Sequence, residues 1–158
     1  MLKLALETEA ELQAMVETEA AKDEVCKLLM SIPGVGPVTA LVVRAEIGDI
    51  WRFRSAQALI NYCGLCPKVD QSSDRTTYGK LNRACNRFLK YVLVLRSQGM
   101  SRSKQDNPMR DTYWRIVFKG KNHAKIAVSR QLTRVIYRML KDNAFWDASK
   151  ITRRSGVP

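Results

Sequence analysis

The sequence predicts an all-α domain, and three observations carry that expectation. Apolar residues recur at helical spacing in the longest segments, strand-period alternation is missing, and strand and helix patterns do not alternate. The 158 residues suit one domain with an appended helix, and a 46% hydrophobic content is enough for a core. No run approaches ~18 uninterrupted apolar residues, so no membrane-spanning helix is expected. The N-terminus is too acidic for a secretory signal or transit peptide. The expected compartment is therefore the cytoplasm, with the four cysteines as reduced thiols.

The elements are expected in the following order. Residues 2–30 read as one protruding helix rich in Ala, Leu and Glu, with no internal Gly or Pro. Leu12, Met15 and Val16 form one apolar patch on it; Val25, Cys26, Leu28 and Leu29 form another. The weak stripe between them suits either a coiled coil or an ordinary surface helix. Ser31-Ile32-Pro33-Gly34-Val35-Gly36-Pro37 then separates helical segments 22–30 and 38–47, the pattern of a helix-hairpin-helix element. Backbone N–H groups of such a turn face a DNA phosphate, without reading sequence; a purely structural turn is the alternative.

Ser55 caps a helix over 56–62, which Cys63-Gly64-Leu65-Cys66-Pro67 ends. Residues 67–80 lack helical periodicity and read as an exposed loop or irregular hairpin. Three helices follow. The first, 82–99, places Phe88, Tyr91, Val92 and Leu95 on one face. The others are 108–119 and 122–142, the latter with Ile126, Leu132, Ile136, Tyr137 and Leu140 at helical spacing. This divides the chain into an N-terminal helix or connector (1–25), a helical domain (26–142) and a tail (143–158).

Charge is unevenly distributed. The chain carries +12 overall, but residues 1–50 hold 4 basic and 9 acidic side chains, and residues 51–158 hold 23 and 6. An excess of that size points to a polyanion, usually nucleic acid, rather than to solubility alone. The candidate nucleic-acid contacts are Gly34, Val35, Gly36, Arg75, Lys80, Arg83, Arg87, Lys119, Lys121, Lys125 and Arg130. His123, the one histidine, sits beside three of these lysines and reads as a phosphate contact or an exposed imidazole.

Cys63-x-x-Cys66 is half of a zinc pattern, but no second paired spacing completes it among Cys26, Cys85 and His123. Thiols acting as small hydrophobes are the preferred reading, and no metal site is expected. Ser72 and Ser73 lie in a polar stretch, Gln71 to Thr77, whose residue chemistry alone does not make a nucleophile.

Taken together, Ile32 to Ala40, Tyr62-x-Gly64-Leu65-x-Pro67, Gln71-Ser72, Gly79 to Asn86 and Lys119-Gly120 to Leu132 occur in an order that resembles a known domain. It is the C-terminal domain of the DEDD-type insertion-sequence transposases, which are related to the Piv-type site-specific DNA invertases. The resemblance covers roughly residues 26–142. It implies a full-length protein with an N-terminal RuvC-like domain holding acidic metal ligands, a coiled-coil connector and a serine nucleophile that forms a phosphoserine link to DNA. It further implies a structured guide RNA, DNA as substrate, and a divalent metal such as Mg only in the RuvC-like domain; the weakly apolar face of the N-terminal helix separately suggests a homo-oligomer.

By position in the motif Gln-Ser-Gly the nucleophile is Ser72, with Ser73 as the alternative. This chain departs from the pattern at Ser73 and Cys85, where the family has Gly, and at Arg83 and Lys90, which keep charge but not geometry. Without a RuvC-like half the chain is expected to be inactive alone, with Ser72 on an exposed, mobile loop. Two other classes stay open: a non-catalytic helix-hairpin-helix nucleic-acid-binding module, and a helical oligomerisation domain.

Overall fold

The computed structural model describes residues 2–72, 75–81, 85–102 and 107–150, with backbone alone for 2–5, 67–72, 75–81 and 150. Seven α-helices and one β-ribbon follow in chain order: α1 (Leu2–Lys22), α2 (Glu24–Met30), α3 (Pro37–Ile47), α4 (Ala56–Tyr62), β1 (Pro67–Ser72), β2 (Arg75–Leu81), α5 (Arg87–Arg102), α6 (Pro108–Ile116) and α7 (Lys121–Asp142). Short 3-10 turns lie at Ile50–Arg52, Val117–Lys119 and Ala148–Lys150. The class is all-α, with the ribbon inserted between α4 and α5.

α7 is the hub, packing against α2, α4, α5 and α6. Ala124, Val128, Leu132, Ile136 and Met139 recur every three or four residues and are buried along it. Opposite them stand Leu29 of α2, Leu59 and Ile60 of α4, Leu89 and Leu93 of α5, and Met109 of α6. The helix ends at Asn143, whose left-handed backbone (φ 46°, ψ 46°) lets the Ala144 N–H return to the Met139 carbonyl at 3.1 Å.

Two expectations about helices need correction. The helix expected over 2–30 breaks at Asp23, whose extended backbone caps α2 and whose carboxylate accepts the Val25 and Cys26 N–H groups. Arg44 of α3 donates to the same carboxylate at 3.1 Å. An aspartate inside a helix-forming run thus becomes a cap because a distant arginine holds its second oxygen. The N-terminal part of α1 leaves Leu6, Leu12 and Met15 more than half exposed, and Ala20 near its C-terminal end is buried.

The second correction concerns α5. It starts at Arg87 rather than 82, and its buried face is Leu89, Val92, Leu93, Ser97 and Met100. Phe88, Tyr91 and Leu95 are exposed. The helix carries two overlapping apolar stripes, and α7 takes the one that continues to Met100. The hydroxyls of Ser97 and Ser129 lie 3.1 Å apart between these two helices and also reach carbonyls of their own helices. Small, satisfied side chains at this crossing let the two backbones approach.

Candidate nucleic-acid interface and the Ser72 ribbon

The ribbon is built from its base outward. α4 ends with Gly64 at φ 65°, where the Gly64 N–H reaches the Asn61 carbonyl (2.9 Å) and Leu65 N–H reaches that of Ile60 (3.1 Å). This Schellman-type end needs the positive φ that glycine adopts at little cost. Leu65 is fully buried, and Arg130 of α7 donates from Nε to its carbonyl at 2.6 Å. Pro67 then starts β1, which pairs antiparallel with β2: Val69 with Tyr78, Asp70 with Thr77, Gln71 with Thr76, and Ser72 with Arg75. A register shift falls between Pro67 and Val69. Where an exposed loop or irregular hairpin is expected, the backbone therefore forms a ladder, and Ser72 is its last residue before the tip. Ser73, Asp74 and Arg83 lie outside the described residues.

Asn86 closes the base from the other side. Its backbone N–H donates to the Tyr62 carbonyl at 3.0 Å. Its side-chain carbonyl caps α5 by accepting the Leu89 N–H at 2.9 Å. Its amide nitrogen donates to the Tyr62 hydroxyl (3.2 Å) and to the Glu46 carboxylate on α3. Arg52 lies 4.6 Å from the Phe53 ring centre and 4.9 Å from that of Tyr62, and the Tyr137 hydroxyl donates to the Phe53 carbonyl. Glu46, Tyr62 and Asn86 do not feature in the sequence expectations as a site. Two signals bear on Asn86: it closes the Gly79 to Asn86 segment of the resemblance, and an asparagine before an apolar helical run is an N-cap signature.

The turn between α2 and α3 is the second feature. Gly34 has φ +84°, a conformation side chains rarely adopt, and it is exposed. Val35 is buried, and its N–H donates to the Ile32 carbonyl at 3.0 Å. Val35 therefore holds the turn together and offers neither its side chain nor its N–H to a ligand. Gly36 caps α3 with ordinary extended backbone, and a Cβ placed there meets nothing within 4 Å. No side chain caps the α3 N-terminus.

The remaining candidates divide by position. Arg87, Lys119 and Lys121 are exposed, and Lys125 is half-buried on α7. Arg75 and Lys80 are on β2. Arg130 is half-buried and engaged with Leu65, so the geometry makes it a strut for the ribbon base rather than a free cation.

The cysteines behave as packed thiols. Cys26 and Cys63 are fully buried. Burial pushes the Cys63 thiol up to about 12, with Cys85 nearby adding to the effect. The Cys66 sulfur accepts the Gln57 amide at 2.8 Å. Among the described residues no group of three or more His, Cys, Asp or Glu could hold a metal. Nor is any helix among the described residues long and apolar enough to cross a membrane.

Comparison with known proteins accounts for the order of these features. A model of the Transposase IS116/IS110/IS902 family matches residues 26–114, from α2 through α6. The transposase for insertion sequence element IS1111A of Coxiella burnetii is 29% identical over 135 residues, covering 84% of this chain and 36% of that protein. The 43.6 kDa protein of insertion element IS110 from Streptomyces coelicolor is 32% identical over 143 residues, covering 89% and 34% respectively. The 44.8 kDa protein of insertion element IS116 from Streptomyces clavuligerus is 28% identical over 134 residues, 83% of this chain and 33% of its own length. The chain spans about a third of the length of these curated relatives. With more than half of its residues inside the family model, the chain belongs to the IS116/IS110/IS902 family of transposases.

Proposed function

We propose that this chain is the nucleic-acid-binding, serine-bearing part of a transposase, acting in DNA transposition with Ser72 as nucleophile. The observation that carries the reading is the position of Ser72 at the end of a ribbon clamped at its base by Asn86 and Arg130, in register with Arg75. A nucleophile that must enter a DNA backbone is well served by an element on a fixed support, and the ladder pairs the backbone of Ser72 with that of a basic residue, Arg75. The basic excess beyond residue 50 supplies sequence-independent attraction.

Acid–metal chemistry of the DEDD type belongs, on this reading, to a RuvC-like half outside this chain, and the guide is a structured RNA. Divalent metal would be held by that half. The Ser72 hydroxyl gives up its proton and attacks a backbone phosphorus, the P–O bond to one deoxyribose breaks, and that strand end leaves as a free hydroxyl. The turn at Gly34–Gly36 and the exposed cations Arg87, Lys119 and Lys121 hold the nucleic acid. Measuring affinity for a duplex against salt tests the binding part. It should fall steeply and linearly in log–log form, by roughly 10³-fold or more between 50 and 200 mM salt if six phosphates are contacted. A flat salt dependence would remove the nucleic-acid reading and leave the helical oligomerisation domain.

The exposed Leu6, Leu12 and Met15 on α1 favour pairing of this helix with a second copy. Deleting residues 1–15, which leaves the buried Ala20 in place, should then lower the oligomeric state in sedimentation while the remainder stays folded; a monomer before and after the deletion would remove the pairing.

A further inference from the structure

We propose that Trp114 and Phe118, on the face where α6 runs into the 3-10 turn, form a stacking platform for unpaired nucleotides. The inference rests on the nucleic-acid-binding reading above and adds the strandedness of the ligand. Trp114 is 60% exposed, and Phe118, at 76%, is the most exposed large hydrophobic residue among the described ones. They are four positions apart, Trp114 in the last turn of α6 and Phe118 in the 3-10 turn that follows directly, so both exposed rings stand at the same end of the helix. The half-buried Tyr113 meets the indole edge-on at 5.5 Å and 88°, which orients the ring. Lys119 sets its ammonium 5.6 Å from the Phe118 ring centre.

The charge around the two rings selects the occupant. Residues 108–125 carry five Lys or Arg and a single acid, Asp111. A basic surround disfavours an apolar protein face and favours a polyanion with flat apolar faces. In a duplex those faces are already stacked on one another. Unpaired bases offer them, and phosphates between successive bases meet Lys119 and Lys121. Trp51, the other strongly exposed indole, differs: Lys141 lies 3.6 Å from its ring centre.

The test uses the whole chain and two probes, an oligouridine of about 20 nucleotides and a DNA duplex of similar length. Trp114→Ala and Phe118→Ala should each weaken oligouridine binding about tenfold and leave duplex binding within about twofold. Trp114→Phe should restore most of the loss, and the salt slope should not change because no cation is removed. Circular dichroism checks that these surface variants remain folded. Equal losses on both probes, or no loss on oligouridine, would overturn the platform; in the second case a protein partner covers the rings. Failure of the unaltered chain to bind either probe at low salt would instead bring down the nucleic-acid reading itself.

Discussion

The backbone N–H of Asn86 donates to the carbonyl of Tyr62 at 3.0 Å, tying the strand of chain that leaves the β-ribbon to the one that enters it. All of the Asn86 side chain is used at the same point: its oxygen caps α5, and its nitrogen meets Tyr62 and Glu46. The ribbon that carries Ser72 is therefore held by groups from α3, α4 and α7.

This arrangement predicts an unusual substitution pattern at Asn86. Asn86→Ala should cost about 2 kcal/mol, from a lost cap and a lost hydrogen bond to a charged group. Asp caps a helix as well as Asn does, yet Asn86→Asp should be at least as damaging at neutral pH, because it removes both donors and sets a carboxylate against Glu46. Acidification through the carboxylate range should restore part of its stability relative to the Ala variant. Chemical denaturation at two pH values checks both points. If Asn86→Asp matches the parent at pH 7, the Glu46 contact is not holding the ribbon.

The two glycines of the α2–α3 turn should separate fold from binding. Gly34→Ala forces a side chain into φ +84° and should cost about 1 kcal/mol or more. Gly36→Ala meets nothing within 4 Å and should leave stability unchanged or slightly raised. If the turn approaches a phosphate, Gly36→Ala nevertheless weakens duplex binding several-fold. A variant that is both stable and fully competent in binding would show that the turn is structural only.

Asp23 gives a pH dependence with a definite sign. Its burial would raise the carboxyl pKa, but the N–H groups of Val25 and Cys26 and the Arg44 guanidinium outweigh that and lower it. A folded-state pKa below the unfolded value contributes stability that is present above about pH 4 and is lost as pH falls through the folded pKa. Asp23→Asn keeps the cap and removes the charge, so it should abolish this component and cost less than 1 kcal/mol at pH 7, the ion pair being partly exposed. Asp23→Ala should cost about 1 kcal/mol more by removing the cap. Acid-induced unfolding followed for all three proteins would reveal a wrong sign.

What could be read in the sequence is what local chemistry determines. Ser55 is a side-chain cap next to a helix-forming run, and α4 starts where that residue places it; the cap that Asn107 supplies to α6 is seen only in the structure. On α7 the expected stripe holds at Leu132 and Ile136, while Ile126, Tyr137 and Leu140 are half-buried and Ala124, Val128 and Met139 complete the buried face. By contrast, α5 has two candidate stripes, Phe88-Tyr91-Leu95 and Leu89-Val92-Leu93, and only packing against α7 chooses between them. The break at Asp23 depends on Arg44, 21 residues away, and the ribbon base depends on pairs 24, 40 and 65 residues apart. Thr76, Thr77 and Tyr78 favour strands and the hairpin alternative is the one the backbone adopts, but the ends of the ladder are fixed by these distant groups. Arg130 shows the same limit: its charge suggests a phosphate contact, and its hydrogen bond from Nε to the Leu65 carbonyl is visible only in the fold.

The most direct measurement is a covalent one. The chain, supplied with the RuvC-like half, a guide RNA, donor DNA and Mg, should yield a protein–DNA adduct that survives denaturation, through a phosphoserine ester at position 72. Ser72→Ala should abolish the adduct while leaving nucleic-acid affinity and folding intact, and Ser73→Ala should leave it in place. An adduct that persists in Ser72→Ala, or disappears only in Ser73→Ala, would contradict the assignment of the nucleophile to the last residue of β1.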